Sequence, residues 1–95
     1  MVNPGTDARP IRRGGFEEAW SSSGLVLVDL ESDVLHHLNA PAAVVLELVG
    51  DRSFAEIVEA YAALSDGDRG TASDAVRVAL DGLAEIGAID GWALS

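Results

Sequence analysis

The stretch that most constrains the fold is residues 25–41, LVLVDLESDVLHHLNAP. Residues 25–28 are a continuous apolar, partly β-branched run, a strand by composition and length. The polar DLESD of residues 29–33 contains a reversal, and Val34, Leu35, His36, His37 and Leu38 resume as a second strand. Strands this short, joined by so brief a connection, are read as antiparallel neighbours. Asn39 is a good helix N-cap, and Pro41 suits a first helical turn, where its missing N–H costs nothing. Any fold for this chain must therefore contain a hairpin that delivers directly into a helix.

Downstream of Pro41 the pattern turns helical. The first helix runs to Val49 with Gly50 as its stop, and Ala42, Val45, Leu46, Leu48 and Val49 cover most of its circumference. Ser53 and Glu56 make a capping box for a second helix, whose stripe of Phe54, Ile57, Val58, Tyr61 and Ala62 keeps helical spacing. Residues 65–70, SDGDRG, read as a polar loop. Thr71 with Asp74 repeats the box pattern at a third helix, with Ser73 as the alternative cap. Val76, Ala79, Leu80, Leu83 and Ile86 form its apolar stripe, and Gly87 ends it. Residues 88–92 close the domain as a short strand or a docked tail.

Upstream of the hairpin, residues 16–20 place Phe16 and Trp20 on one face. They are read as a first strand, although Glu17, Glu18 and Ala19 favour helix. Residues 1–15, punctuated by Pro4, Gly5, Pro10, Gly14 and Gly15, read as a flexible N-terminal arm preceding a domain at 16–95. Three strands with one apolar face need a cover, and three amphipathic helices are available. The expectation is an α+β, winged-helix-like domain: a three-stranded antiparallel sheet followed by three helices.

Charge narrows the partners. Six basic against sixteen acidic residues leave a net charge of −10, and the chain has no lysine. Phosphate backbones and anionic membrane surfaces are bound through Lys and Arg, so nucleic acid and membrane are both disfavoured. Arg9, Arg12 and Arg13 in the arm do not offset this acidity. A winged-helix transcription regulator is the rival from another class. Its recognition helix should be basic, whereas residues 73–86 carry Arg77 against Asp74, Asp81 and Glu85. With no cysteine, no signal-like segment and no apolar run approaching the ~20 residues of a membrane span, a cytoplasmic location is expected.

The chain offers little chemistry. His36 and His37 are adjacent, so in a strand they point to opposite faces and do not chelate one metal together. Counting a calcium loop from Asp66 puts Arg77 where a bidentate glutamate belongs, and the match fails. No glycine-rich phosphate loop comes after a strand, and Ser21, Ser22 and Ser23 lack the neighbouring pattern of a triad. The Asp-Ser attachment site of carrier proteins is missing as well. Neither an enzymatic activity nor a metal or other cofactor is expected, which points to a binding module. One form of that reading is a domain that docks only to a protein partner and has no peptide cargo.

The order of elements resembles the PqqD-like family. The resemblance rests on VLHHLN followed by an apolar helix and Gly50, on the FAEIVEAYA helix, and on a last helix ending LAEIGAID. It covers residues 24–90. The hairpin turn departs from the family in having Glu31, Ser32 and Asp33 where a glycine often sits. The resemblance implies a winged-helix-like recognition element for ribosomally synthesised, post-translationally modified peptides. It implies that the leader of a precursor peptide adds as a strand beside Val34, Leu35, His36, His37 and Leu38, and is brought to a modifying enzyme or leader protease. It places the opposing wall on Val76, Arg77, Leu80, Asp81 and Ala84. Leu80 and Ala84 would line the groove and Arg77 would meet an acidic residue of the leader. The competing reading makes Leu80 plain core and pairs Arg77 with Asp81 one turn on.

Overall fold

A computed structural model describes residues 9–22, 24–65 and 67–92. The elements are β1 (Ile11–Arg12), β2 (Phe16–Ser21), β3 (Gly24–Asp29), β4 (Val34–Leu38), α1 (Ala40–Leu48), α2 (Phe54–Ser65), α3 (Arg69–Glu85) and β5 (Ile89–Asp90). β2, β3 and β4 form an antiparallel sheet in that order, and the three helices come after it, as expected. Despite its glutamates, the 16–20 stretch is a strand, because β3 supplies a pairing partner along its whole length.

Register decides which side chains meet the helices. Leu25 pairs with Leu38 and Leu27 with His36, and both of these β3 leucines are 1% exposed. Cross-strand partners share a face, so Leu38 and His36 look toward the core while Leu35 and His37 look away with Val28 and Val26. On the other flank Trp20 pairs with Leu25, yet it lies beyond the reach of the helices and is 61% exposed. Beneath the inner face, Val45 of α1, Ile57 of α2, and Val76 and Leu80 of α3 are fully buried in one core.

The hairpin turn closes without a glycine. Asp29 Oδ1 accepts from the backbone N–H groups of Glu31 (3.0 Å) and Ser32 (3.4 Å), and the Asp33 N–H donates to the Asp29 carbonyl at 2.7 Å. Asp33 itself takes the left-handed conformation (φ 61°), which aspartate tolerates better than most residues. The Glu31 N–H, then the Ser32 contacts, hold the Asp29 carboxyl below its ordinary pKa.

Local caps set the helix starts. Asn39 Oδ1 accepts from the Ala42 N–H at 2.9 Å, with Pro41 in the first turn of α1. At α2 the box is reciprocal: the Ser53 N–H reaches Glu56 Oε1 (2.8 Å) and the Glu56 N–H reaches Ser53 Oγ (3.3 Å). α3 begins earlier than Thr71 or Ser73 would place it. Asp68 is the cap, accepting from the Thr71 N–H at 2.8 Å and the Thr71 hydroxyl at 3.2 Å. With Asp68 serving the donors of the first turn, the helix starts three residues earlier and Thr71 falls inside it. The helix ends at Gly87 (φ 79°), where Gly87 N–H to Ala84 O (3.1 Å) and Ala88 N–H to Leu83 O (2.9 Å) form a Schellman closure.

The arm expected at residues 1–15 is not free from Arg9 onward. Ile11 pairs with Asp90 and Arg12 with Ile89, the Arg13 N–H donates to the Ala88 carbonyl at 2.9 Å, and Pro10 is buried. From Arg9 onward the segment expected to be flexible is folded against the chain end, and residues 88–92 supply the strand it pairs with. At Gly91 (φ 77°) a Cβ would come within 2.9 Å of the Arg9 carbonyl, so that approach requires glycine. Residues 1–8 lie outside the described residues.

Candidate functional site

Among the described residues, β4 pairs on one side only, with β3. In an antiparallel edge strand alternate residues aim their N–H and C=O groups away from the partner, so β4 offers a row of backbone donors and acceptors. That edge does not face open solvent. It stands across a groove of about 830 Å³ from α3, with the start of α1 closing one end.

The strand side of the groove is Leu35, His36, His37 and Leu38, continuing into Asn39, Pro41 and Ala42. The helix side is Ala75, Val78, Gly82 and Ile86, with Thr71 and Asp74 at the end nearest Pro41 and with Ala79 and Leu83 between helix and core. Most of this lining is apolar. On the helix side Val78 is 72% exposed, an apolar side chain of the lining that the core does not use. The ionisable side chains along the groove are His36, His37 and Asp74. The His36 ring lies 6.3 Å from the Phe16 ring beneath β3, which orients it toward the core side of the sheet.

Of the residues expected here, Leu35, His36, His37 and Leu38 line the groove; Val34, at the start of β4, is exposed but lies outside its lining. The wall expected on α3 is rotated away. Val76 and Leu80 are fully buried core, so the plainer reading of Leu80 is the one the structure adopts. Arg77 places its guanidinium 5.4 Å from the centroid of Phe54, on the α2 side of the helix. Asp81 accepts from the Trp92 indole N–H at 2.8 Å, and that indole stacks on Phe54 with centroids 5.3 Å apart. Ala84 is half-buried against the core. These five residues cover the core and the far flank of α3, and none of them lines the groove.

The missed wall had a signal. Val78 falls outside the Val76–Leu83 stripe, on an otherwise polar face, with Ala75 and Gly82 about one turn to either side. Ala75, Val78 and Gly82 leave a charge-free strip beside the core stripe, which is the sign in the sequence of this second face.

A three-stranded antiparallel sheet, three helices and an edge strand facing the last helix define a winged-helix-like α+β domain. The family described as coenzyme PQQ synthesis protein D (PqqD) matches residues 24–89, and the chain belongs to that family. Among solved structures, TbiB1 in complex with the TbiA(β) leader peptide superposes with a TM-score of 0.73 at 25% identity. The match covers 87% of this chain and 98% of that one. A lasso peptide synthetase B1 complexed with the leader peptide matches in fold, with a TM-score of 0.73 at 24% identity over 87% of this chain and 99% of that one. No curated protein matches the sequence significantly.

Proposed function

We propose that this chain is a non-catalytic recognition domain for the leader of a ribosomally synthesised precursor peptide. The leader adds as a strand to β4, sets apolar side chains into the groove against α3, and is presented to a modifying enzyme or a leader protease. The observation that carries this reading is the free β4 edge standing opposite an apolar wall. Family membership and the likeness to TbiB1, a structure held with a leader peptide, support it. From Thr71 to Ile86 the helix rises ~22 Å, matched by about six or seven residues of extended peptide at ~3.3 Å each.

Magnitudes show why both halves of the site are needed. About four or five backbone hydrogen bonds at ~0.5–1.5 kcal/mol net give only a few kcal/mol. Ordering a flexible leader costs ~2–5 kcal/mol, whereas micromolar binding needs about −8 kcal/mol. The difference must come from apolar anchors in the groove, where Leu38, Val78 and Ile86 provide the surface. The acidic surface fits this role better than nucleic-acid binding, since α3 exposes Asp74 and Glu85. No helix among the described residues is long and apolar enough to cross a membrane.

The test is a titration of a fluorescent peptide corresponding to the leader of a candidate precursor, taken from the short open reading frames neighbouring this chain's gene. Saturable binding with a Kd of roughly 1–10 μM is expected. Lack of binding at ~100 μM peptide would remove the assignment.

A further inference from the structure

Gly82 is the residue of the groove whose identity folding does not explain. It sits inside α3, short of its end, where glycine is less favourable than any residue but proline. Glycines in helices are retained where another segment approaches closely or where φ is positive. Neither condition applies. Gly82 is not among the positive-φ residues, and a Cβ built there would meet nothing within 4 Å. An alanine would fit and would strengthen the helix.

Its place in the groove supplies the missing reason. Val78, Gly82 and Ile86 form one column on the face toward β4, a turn apart each, with Ala79 and Leu83 beside them. Val78 stands 72% exposed on one side of the gap, and the half-buried Ile86 borders the other. Between them Gly82 leaves open space, with no atom within 4 Å of where its Cβ would stand, in the wall a peptide strand on β4 would face.

We propose that Gly82 is a specificity-determining residue, whose missing side chain leaves a notch for one bulky apolar side chain of the leader. The inference rests on the reading of the groove as the leader site and adds which residue sets the size of the anchor. A strand laid on β4 directs alternate side chains toward α3, so one of those positions falls at the notch. Larger anchors bury more surface against Val78 and Ile86, and a Cβ at residue 82 takes that space back.

The experiment titrates the fluorescent leader peptide, and versions with each large apolar residue cut to alanine, into wild type, Gly82→Ala and Gly82→Leu. Thermal melts of all three proteins run beside it. Gly82→Ala is expected to melt at or above wild type yet bind the native leader several-fold more weakly. Gly82→Leu should lose at least about tenfold, since its side chain would occupy the space the leader's anchor takes. One alanine-cut leader should bind wild type weakly and be indifferent to Gly82→Ala, which identifies the anchor. Equal affinity of native leader for wild type, Gly82→Ala and Gly82→Leu would overturn the notch and leave the leader site standing. Failure of wild type to bind would overturn the leader site itself.

Discussion

Arg77 and Val78 are neighbours in sequence and face different parts of the molecule. The Arg77 guanidinium lies over Phe54 in the seam between α2 and α3, away from the groove. Arg77→Ala should therefore leave leader affinity within about twofold while costing ~0.5–1 kcal/mol of stability in a denaturant titration. Val78 is the reverse case, mostly exposed and lining the groove. Val78→Asp should keep stability within ~0.5 kcal/mol and weaken leader binding by at least about tenfold in the same fluorescence titration, because a charge would have to be desolvated. The family resemblance implies the groove for Arg77, and the sequence reading gives Val78 no role. Val76, Leu80 and Ala84 keep helical spacing, but spacing shows only that a face is apolar. Whether that face meets core or ligand depends on how α3 is rotated against β4, which is set by packing with α1 and α2. Leu35, His36, His37 and Leu38 were legible because an edge strand needs no such rotation.

At the level of elements, the legible features are those set by contacts within a few residues: the hairpin, the Asn39 cap, the Ser53–Glu56 box and the Gly87 stop. Asn39→Ala should cost ~1 kcal/mol in chemical unfolding, the usual loss when a side-chain cap is removed, and would shift the end of the groove that Asn39 borders. Three carboxylates are tied to backbone donors at element ends. Asp29 is held by Glu31, Glu56 by Ser53 and Asp68 by Thr71, and each is thereby kept below its ordinary pKa. A folded-state pKa below the unfolded one contributes stability that is complete above the unfolded value, near 4. That contribution is lost as pH falls through the lower folded value. Urea midpoints should thus hold steady near neutrality and drop as pH is lowered through ~4, with a shallower drop in Asp68→Asn. An equally steep drop in that variant would show that Asp68 has no part in the acid sensitivity. The start of α3 was misplaced because Asp68 and Thr71 both have cap chemistry, and sequence alone does not rank two nearby candidates.

Across the whole molecule, the unforeseen feature is the closure of the N-terminal segment on the chain end through β1 and β5. A two-residue ladder has no periodicity to detect, and Pro10 and Gly14 suggest looseness. The burial of Pro10 and the approach of Gly91 to Arg9 become apparent only when the ends are brought together. Removing residues 1–13 should cost about 1–2 kcal/mol from lost ladder bonds and lower Tm by roughly 5–10 °C for a domain of this size. Leader affinity should survive that truncation, because the groove is built from β4, α1 and α3. The central claim is that β4 binds a leader through its backbone, and amide hydrogen exchange of β4 measured with and without the fluorescent leader peptide tests it most directly. At saturation, the alternate β4 amides that point away from β3 should exchange at least about tenfold more slowly. A leader that binds and saturates while those amides exchange at their free rate would contradict strand addition.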